Sequence, residues 1–129
     1  MTPADILRLP DTRNYWRLMP DKEIQSLSAV LLQRVAHVRD AKHISSMMLR
    51  LKQGMQEDVV HFRYDKKSGE DRPAYGTRCQ EIIRRHGGDP KGEGREGPPT
   101  TFNYFDLIRQ QWRSFRPENL ISIDENYTI

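Results

Sequence analysis

Five short segments rich in β-branched and aromatic residues lie between positions 58 and 123, and they constrain the fold more than any other feature of the chain. Each segment is bounded by turn-forming residues, which is typical of short strands. The predicted strands cover residues 58–64, 72–77, 101–107, 112–116 and 119–123. Strands of this length and number predict a small all-β barrel.

A helical unit is predicted ahead of these strands, because apolar residues recur there at helical spacing. One helix begins after Pro20-Asp21, and the next is expected to end at Gly54. Their apolar stripes comprise Ile24, Leu27, Val30, Leu31, Val35 and Val38 in the first helix and Ile44, Met47, Met48 and Leu51 in the second. A short helix from Thr2 to Leu9 is predicted before both. We therefore divide the chain into a helical unit, residues 1–54, and a barrel, residues 55–129.

Local signals add detail to the predicted barrel. In the first strand, residues 60, 62 and 64 share one face. Gly69 is expected to take a positive φ in the first hairpin, and Gly76, inside the second strand, predicts a close approach of the backbone. Residues 79–100 are predicted to form an insertion between strands 2 and 3, with a short helix over residues 80–86 and a loop, rich in glycine and proline, that is expected to be mobile over residues 87–99.

Composition and charge narrow the classes of protein. The longest apolar run has four residues, Ala29 to Leu32, so we expect no membrane span. From the first residues, with an early acid and no apolar stretch behind a basic cluster, we expect no secretory signal. The single cysteine, Cys79, cannot form an internal disulfide, which favours the cytoplasm. Residues 1–54 hold nine Lys/Arg against five Asp/Glu, whereas residues 55–129 hold twelve against thirteen. The basic excess, which would favour nucleic acid as a partner, therefore lies in the helical unit.

Two separated motifs give the predicted barrel a resemblance to a known family. The first includes Val60-His61-Phe62-Arg63-Tyr64 and Arg72-Pro73-Ala74-Tyr75-Gly76-Thr77, and the second includes Trp112-Arg113-Ser114-Phe115-Arg116. They resemble the WYL-like proteins with an Sm-like SH3 β-barrel, found mainly in Bacteroidetes and their mobile elements. The resemblance implies an α+β fold, in which an N-terminal helical segment precedes a five-stranded SH3/Sm-like barrel. It implies no established biochemical activity, although the distant true WYL domains resemble ligand-sensing modules of bacterial regulators.

The reactive side chains do not form a recognisable catalytic or metal site. Residues 92–97 spell G-x-G-x-x-G, but that fingerprint binds dinucleotides only between a strand and a helix, and Pro90 and Pro98 flank it here. Cys79 and the four histidines lack the close pairs that zinc requires. The sequence therefore predicts no metal, no cofactor and no enzyme.

Arginines beside aromatic residues are the best candidates for a functional surface, because such pairs stack bases or hold anionic ligands. The candidates of this kind are Trp112, Arg113 and Arg116. Arg63, Arg72 and Arg78, on the first two strands, could join Arg113 and Arg116 in a basic stripe on one barrel face, so all six are candidate ligand-binding residues. Alternatively, the rings of Trp112 and Phe115 fill the core, and the arginines pair with acids at residues 57–58 and 70–71. We favour core packing for the rings, and the near-neutral charge of this half favours pairing for the arginines.

The predicted helices offer a second candidate surface. As a helix-turn-helix they would present residues 45–46 and two candidate nucleic-acid contacts, Arg50 and Lys52, to a major groove. The link at residues 39–41 lacks the usual glycine, so we favour a helical pair that covers the barrel or forms a dimer seam.

These observations predict a non-enzymatic, regulatory binding module that contacts nucleic acid or a small anionic ligand through arginines on the barrel. The alternative is a protein-interaction or assembly module, such as a homodimer, that uses strand edges and the helical unit.

Overall fold

The computed structural model describes residues 21–92 and 100–124, and within them two long helices precede a five-stranded sheet. In chain order the elements are α1 (Lys22–Arg34), α2 (Val38–Glu57), β1 (Val60–Asp65), β2 (Asp71–Thr77), α3 (Gln80–Arg85), β3 (Phe102–Asp106), β4 (Gln111–Phe115), a 3₁₀ turn (Pro117–Asn119) and β5 (Leu120–Asp124). The predicted helix from Thr2 to Leu9 lies outside the described residues.

The ends of the two long helices differ in part from those predicted. The Asp21 carboxylate accepts a hydrogen bond from Ile24 N at 3.1 Å and so caps the start of α1. The first predicted stripe was wrong at its end, because the chain becomes extended at Val35, and Val38, 37% exposed, begins α2 instead. Gly54 does not end α2. The helix continues to Glu57 and thereby carries Met55 into the core.

The five strands form one antiparallel sheet in the order β4-β3-β2-β1-β5. The predicted α+β class and the five strands are confirmed, with strand ends that differ by one or two residues. Phe62 and Tyr64 are buried whereas Arg63 between them is exposed, as the alternation predicts. Gly69 has a φ of 89°, as its place in the hairpin required.

The sheet curls strongly, and the aromatic contacts show this directly. Three strand spacings separate β1 from β4, which in a flat sheet would amount to about 14 Å. The ring centroids of Tyr64 on β1 and Phe115 on β4 nevertheless lie 4.9 Å apart, and those of Phe62 and Phe115 lie 5.5 Å apart. The sheet therefore closes around a shared aromatic centre, as expected of a small barrel.

The long helices and the barrel share one hydrophobic core. Its buried members are Ile24 and Leu27 of α1, Met48, Leu51 and Met55 of α2, and the strand residues Phe62, Tyr64, Ala74, Phe102, Tyr104, Phe115 and Leu120. The hydroxyls of Ser28 and Ser45 hydrogen-bond across the helix pair at 2.7 Å in the buried interface. The division predicted after residue 54 thus falls inside α2, a helix that packs with the strands.

The described part of the insertion packs on the outer face of β3. Every residue of β3 is buried, including Phe105, whose side chain points away from the aromatic centre. Gly88 lies so close to Phe105 and to Ile83 of α3 that a β-carbon there would sit 2.5 Å from the Phe105 ring and 2.8 Å from Ile83 Cγ2. Glycine at this position therefore permits a close approach.

Candidate functional site

A groove of about 380 Å³ lies between the β1–β2 turn and β4, and it concentrates positive charge. We call it the basic groove. Its charged lining residues are five cations, Lys66, Lys67, Arg72, Arg113 and Arg116, and one acid, Asp65. Polar groups of Thr100, Thr101, Ser114 and Asn119 complete the walls, so hydroxyl and amide donors stand beside the cations.

The fold, and not sequence proximity, brings these cations together. The tight β1–β2 turn, closed by a hydrogen bond from Lys66 N to Glu70 O at 2.8 Å, holds the two lysines. Arg72 follows on β2, opposite Tyr64 in the sheet register. Arg113 and Arg116 arrive from β4 and the residue after it, which the curl of the sheet places near β1. The groove is therefore a product of barrel closure.

Within the described part of the chain, three of the five groove cations lack a neutralising carboxylate. Among the described residues, no carboxylate lies within 4 Å of the charged groups of Lys67, Arg72 or Arg116. Lys66 lies 3.7 Å from Glu70 in an exposed pair, an arrangement that contributes little. Clustered like charges repel one another, so a bound anion would relieve an unfavourable arrangement.

Arg113 is positioned from behind by Asp106. The Asp106 Oδ1 atom accepts hydrogen bonds from the backbone of Ile108 and Arg109, at 2.9 and 3.1 Å, and fixes the β3–β4 turn. Its Oδ2 atom lies 3.6 Å from Arg113 Nε, too far for a hydrogen bond. Within the described residues Arg113 Nε is buried without a hydrogen-bond partner. The carboxylate thus orients the guanidinium electrostatically.

The floor of the groove is rigid and uncharged. The Tyr64 and Phe115 rings stack there at 4.9 Å, and the Tyr64 and Tyr104 hydroxyls hydrogen-bond at 2.8 Å beneath them. Burial, and next the hydrogen bond with Tyr64, raise the pKa of Tyr104 well above its ordinary value. The Tyr104 hydroxyl therefore stays neutral at physiological pH, and the charge of the groove comes from its walls.

Three of the six predicted ligand-binding residues, Arg72, Arg113 and Arg116, line this groove together. Arg63 lies on the exposed side of β1 and pairs with Asp71 across the hairpin. That contact matches the cross-strand pairing that the sequence offered as the alternative.

Trp112 faces away from the basic groove. It is half-buried, its ring meets Phe105 edge-on at 6.0 Å, and its Nε1–H donates to Asp89 O at 2.9 Å. Gly92 lies directly against the indole, where a β-carbon would collide with it. Phe115, by contrast, is in the central core, as core packing predicts. The Trp112 indole thus fastens the described part of the insertion to β4.

Arg78 and Lys52 join α1 to the rest of the molecule. The Arg78 guanidinium forms two hydrogen bonds with the Glu23 carboxylate, at 2.5 and 2.8 Å, donates to Asn103 O at 2.7 Å and lies 3.8 Å above the Phe102 ring. Lys52 Nζ lies 2.8 Å from both the Asp21 and the Glu23 carboxylates. Both cations are engaged within the protein, and we assign them a structural role.

The ion pairs around Glu23 make stability depend on pH. Burial alone would raise the pKa of the Glu23 and Asp21 carboxyls, but hydrogen bonds and charges from Arg78 and Lys52 at Glu23, and from Lys52 at Asp21, bring both below their ordinary values of 4.5 and 3.8. The unfolded chain therefore takes up protons first on acidification. We expect the stabilisation to be present above about pH 4.5 and to be lost as the pH falls through the lowered values.

Urea unfolding at pH 7 and pH 3 measures this effect. Glu23→Gln should lose less free energy of unfolding between the two pH values than the wild type does. Glu81→Gln removes only an exposed carboxylate 3.9 Å from Arg85 and serves as the matched control. Equal pH dependence in all three proteins would contradict the assignment to Glu23.

The helix pair does not present the surface predicted for a helix-turn-helix. Ser45 is fully buried against Ser28, so the prediction that it faces a major groove was wrong. Lys52 is paired as described above, and Arg50 lies on the exposed side of α2. The helices instead cover the barrel core, as the favoured alternative predicted.

No helix within residues 21–92 and 100–124 combines the length and apolar character that crossing a bilayer requires. Over the same ranges, no three His, Cys, Asp or Glu side chains are grouped so that they could hold a metal ion. The G-x-G-x-x-G segment lies outside the described residues except for its first glycine.

Comparison with known proteins identified a family. The family model WYL_2, described as Sm-like SH3 beta-barrel fold, matches residues 48–121, more than half of the chain. No curated protein and no solved structure matched. The matched region begins within α2, includes β1 to β4 and ends at the start of β5.

Proposed function

Because this chain belongs to the WYL_2 family, with its Sm-like SH3 beta-barrel fold, we propose that it is a non-enzymatic, regulatory binding module that holds a phosphate-bearing ligand in the basic groove. The observation that carries the proposal is the convergence of five cations and one acid on a single groove, in a barrel half whose overall charge is close to neutral. Guanidinium groups present paired donors that match phosphate oxygens, and lysines add positive charge. Hydroxyl groups at the rim supply further donors.

The distribution of charge favours a compact ligand over a long duplex. A second depression adjoins the basic groove and shares Lys66 and Arg72 with it. There, however, three cations face three acids, Glu70, Asp71 and Asp106, so the positive region ends. A volume of about 380 Å³ lies within the range of small-molecule sites. The groove thus fits a nucleotide-sized anion or a short stretch of nucleic acid.

Titration with three anions tests the proposal and separates the sources of phosphate. Tripolyphosphate is measured by calorimetry, and single- and double-stranded oligonucleotides by fluorescence anisotropy, each over a range of salt concentrations. We expect saturable, salt-sensitive binding of tripolyphosphate and of single strands, because phosphate contacts release counterions. If none of the three binds at low salt, the proposed function is wrong.

Reversing two groove charges should abolish most of this binding. Lys67→Glu with Arg116→Glu changes exposed side chains that pair with no described carboxylate, so the fold should persist. A hydrogen bond to a charged group contributes about 1.5–3 kcal/mol, so tripolyphosphate affinity should fall at least about tenfold. Arg39→Glu makes the same charge change at an exposed site on α2 and should leave affinity within about twofold after salt correction. Equal losses in the two proteins would show non-specific attraction.

The sheet edges favour a second candidate, an assembly module. In the described sheet β4 and β5 are the outermost strands, and Ile121 on β5 is 45% exposed. Exposed edges recruit further strands when no charge or cover protects them. Sedimentation of the full chain beside Ile121→Lys separates the candidates: a concentration-dependent dimer that the substitution disperses supports assembly, and a monomer in both contradicts it.

A further inference from the structure

A different cavity, larger than the basic groove, lies on another side of the barrel and shares no lining residue with that groove. We call it the apolar cleft. It has a volume of about 570 Å³ and lies between α3, the end of α2 and the β3–β4 turn. Its apolar lining consists of Val59, Tyr75, Ile82, Leu107 and Ile108, which come from four separate parts of the fold.

Ile108 gives the cleft an apolar rim that the core does not require. Its side chain is 68% exposed at the tip of the β3–β4 turn. The turn is held by the Asp106 carboxylate, which accepts a hydrogen bond from Ile108 N at 2.9 Å. A single exposed isoleucine is ordinary, but this one continues a lining formed by Leu107, Ile82 and Val59. Ile108 therefore extends the apolar wall of the cleft to its rim.

The charged groups of the cleft indicate the chemistry of its ligand. Arg85, His86 and Asp58 are its charged or titratable lining residues. Arg85 lies 3.9 Å from Glu81 in a pair whose members are 68% and 80% exposed, so this contact holds it weakly. Asp58 accepts a hydrogen bond from Val59 N at 2.7 Å through its own carboxylate. Arg85 is therefore the group best placed to bind a negatively charged group of a ligand.

We propose that the apolar cleft binds a small amphipathic carboxylate, whose hydrocarbon body lies on Ile82, Leu107 and Ile108 and whose carboxylate meets Arg85. A cavity of a few hundred cubic ångströms with an apolar lining and few polar groups is typical of small-molecule sites. The planar guanidinium matches a carboxylate through two parallel hydrogen bonds. This site is independent of the basic groove, and either one can exist without the other.

Calorimetric titration of the full chain with octanoate and with octan-1-ol tests the apolar lining of the cleft and its Arg85 separately. We expect saturable, one-to-one binding of octanoate and about tenfold weaker binding of octan-1-ol. Arg85→Glu should weaken octanoate about tenfold and leave octan-1-ol unchanged. Ile108→Asp, at a position too exposed to affect folding, should weaken both probes.

The controls decide whether the site is specific. Arg84→Glu makes the same charge change on the same helix at an exposed residue that does not line the cleft. It should leave octanoate binding intact, as should Lys67→Glu with Arg116→Glu in the basic groove. The proposal is overturned if octanoate does not saturate, if octan-1-ol binds equally well, or if Arg84→Glu and Arg85→Glu have equal effects.

Discussion

Phe62→Ala should lower the free energy of unfolding by about 3–5 kcal/mol. Phe62 is fully buried, and its ring lies 5.0 Å from that of Tyr104 and 5.5 Å from that of Phe115, between centroids. Truncation removes the ring at the point where β1 meets strands from across the barrel, and it leaves a cavity lined by other rings that cannot easily collapse. Because domains of this size are stable by about 5–15 kcal/mol in total, this loss would remove a large share of the free energy of unfolding.

Chemical unfolding followed by tryptophan fluorescence measures the loss. Phe62→Leu keeps most of the buried volume and should cost clearly less than the alanine variant. Ile121→Ala removes a half-exposed side chain from β5 and should change the free energy by less than about 0.5 kcal/mol. A Phe62→Ala variant as stable as Ile121→Ala would mean that the aromatic residues do not form one core.

Gly76→Val should be almost as destabilising, at about 3 kcal/mol or more, for the opposite reason. A β-carbon at Gly76 would sit 2.6 Å from Cδ2 of Tyr104 and 3.0 Å from atoms of Met55 and Phe62. These neighbours belong to the buried core, so none of them can move into solvent. The glycine is thus required by space in the closed barrel.

Comparison with Gly87 separates the steric cost of a β-carbon from the cost of backbone strain. Gly87 has a φ of 78°, but a β-carbon there would contact nothing within 4 Å. Gly87→Ala should therefore cost only the conformational penalty, about 1–2 kcal/mol, whereas Gly76→Ala should cost more than this and Gly76→Val more again. If both Gly76 variants were no worse than Gly87→Ala, the steric explanation would be wrong.

Local signals in the sequence predicted the strands well and the helix ends poorly. Alternation placed Phe62 and Tyr64 on one face, and Gly76 marked a close approach, because both signals arise within a single strand. Gly54 was expected to end α2, but packing of Met55 in the core outweighs the small cost of a helical glycine. Val38 continued the helical spacing although the chain turns extended before it.

The basic groove was predictable only in part. Arg113 and Arg116 were chosen because they adjoin aromatic residues, and Arg72 because it could extend a basic stripe across the strands; the three do meet in the structure. Lys66 and Lys67 were missed, because a polar hairpin turn has the same composition whether it faces solvent or a site. The near-neutral charge of residues 55–129 was also misleading. The net charge of a segment does not show which charged residues the closing sheet brings together. Arg78 looks equivalent to the groove arginines in sequence, but it pairs with Glu23.

In evolution, helix α2 should be inherited together with the strands of the barrel. Met48, Leu51 and Met55 of α2 are fully buried with the barrel aromatics. A gene rearrangement that transferred only the strands would leave the hydrophobic core incomplete. The exposed apolar surface would make the product prone to aggregate. The smallest cassette that could be shuffled between proteins therefore carries the second half of α2, and the family match starting at residue 48 includes this segment.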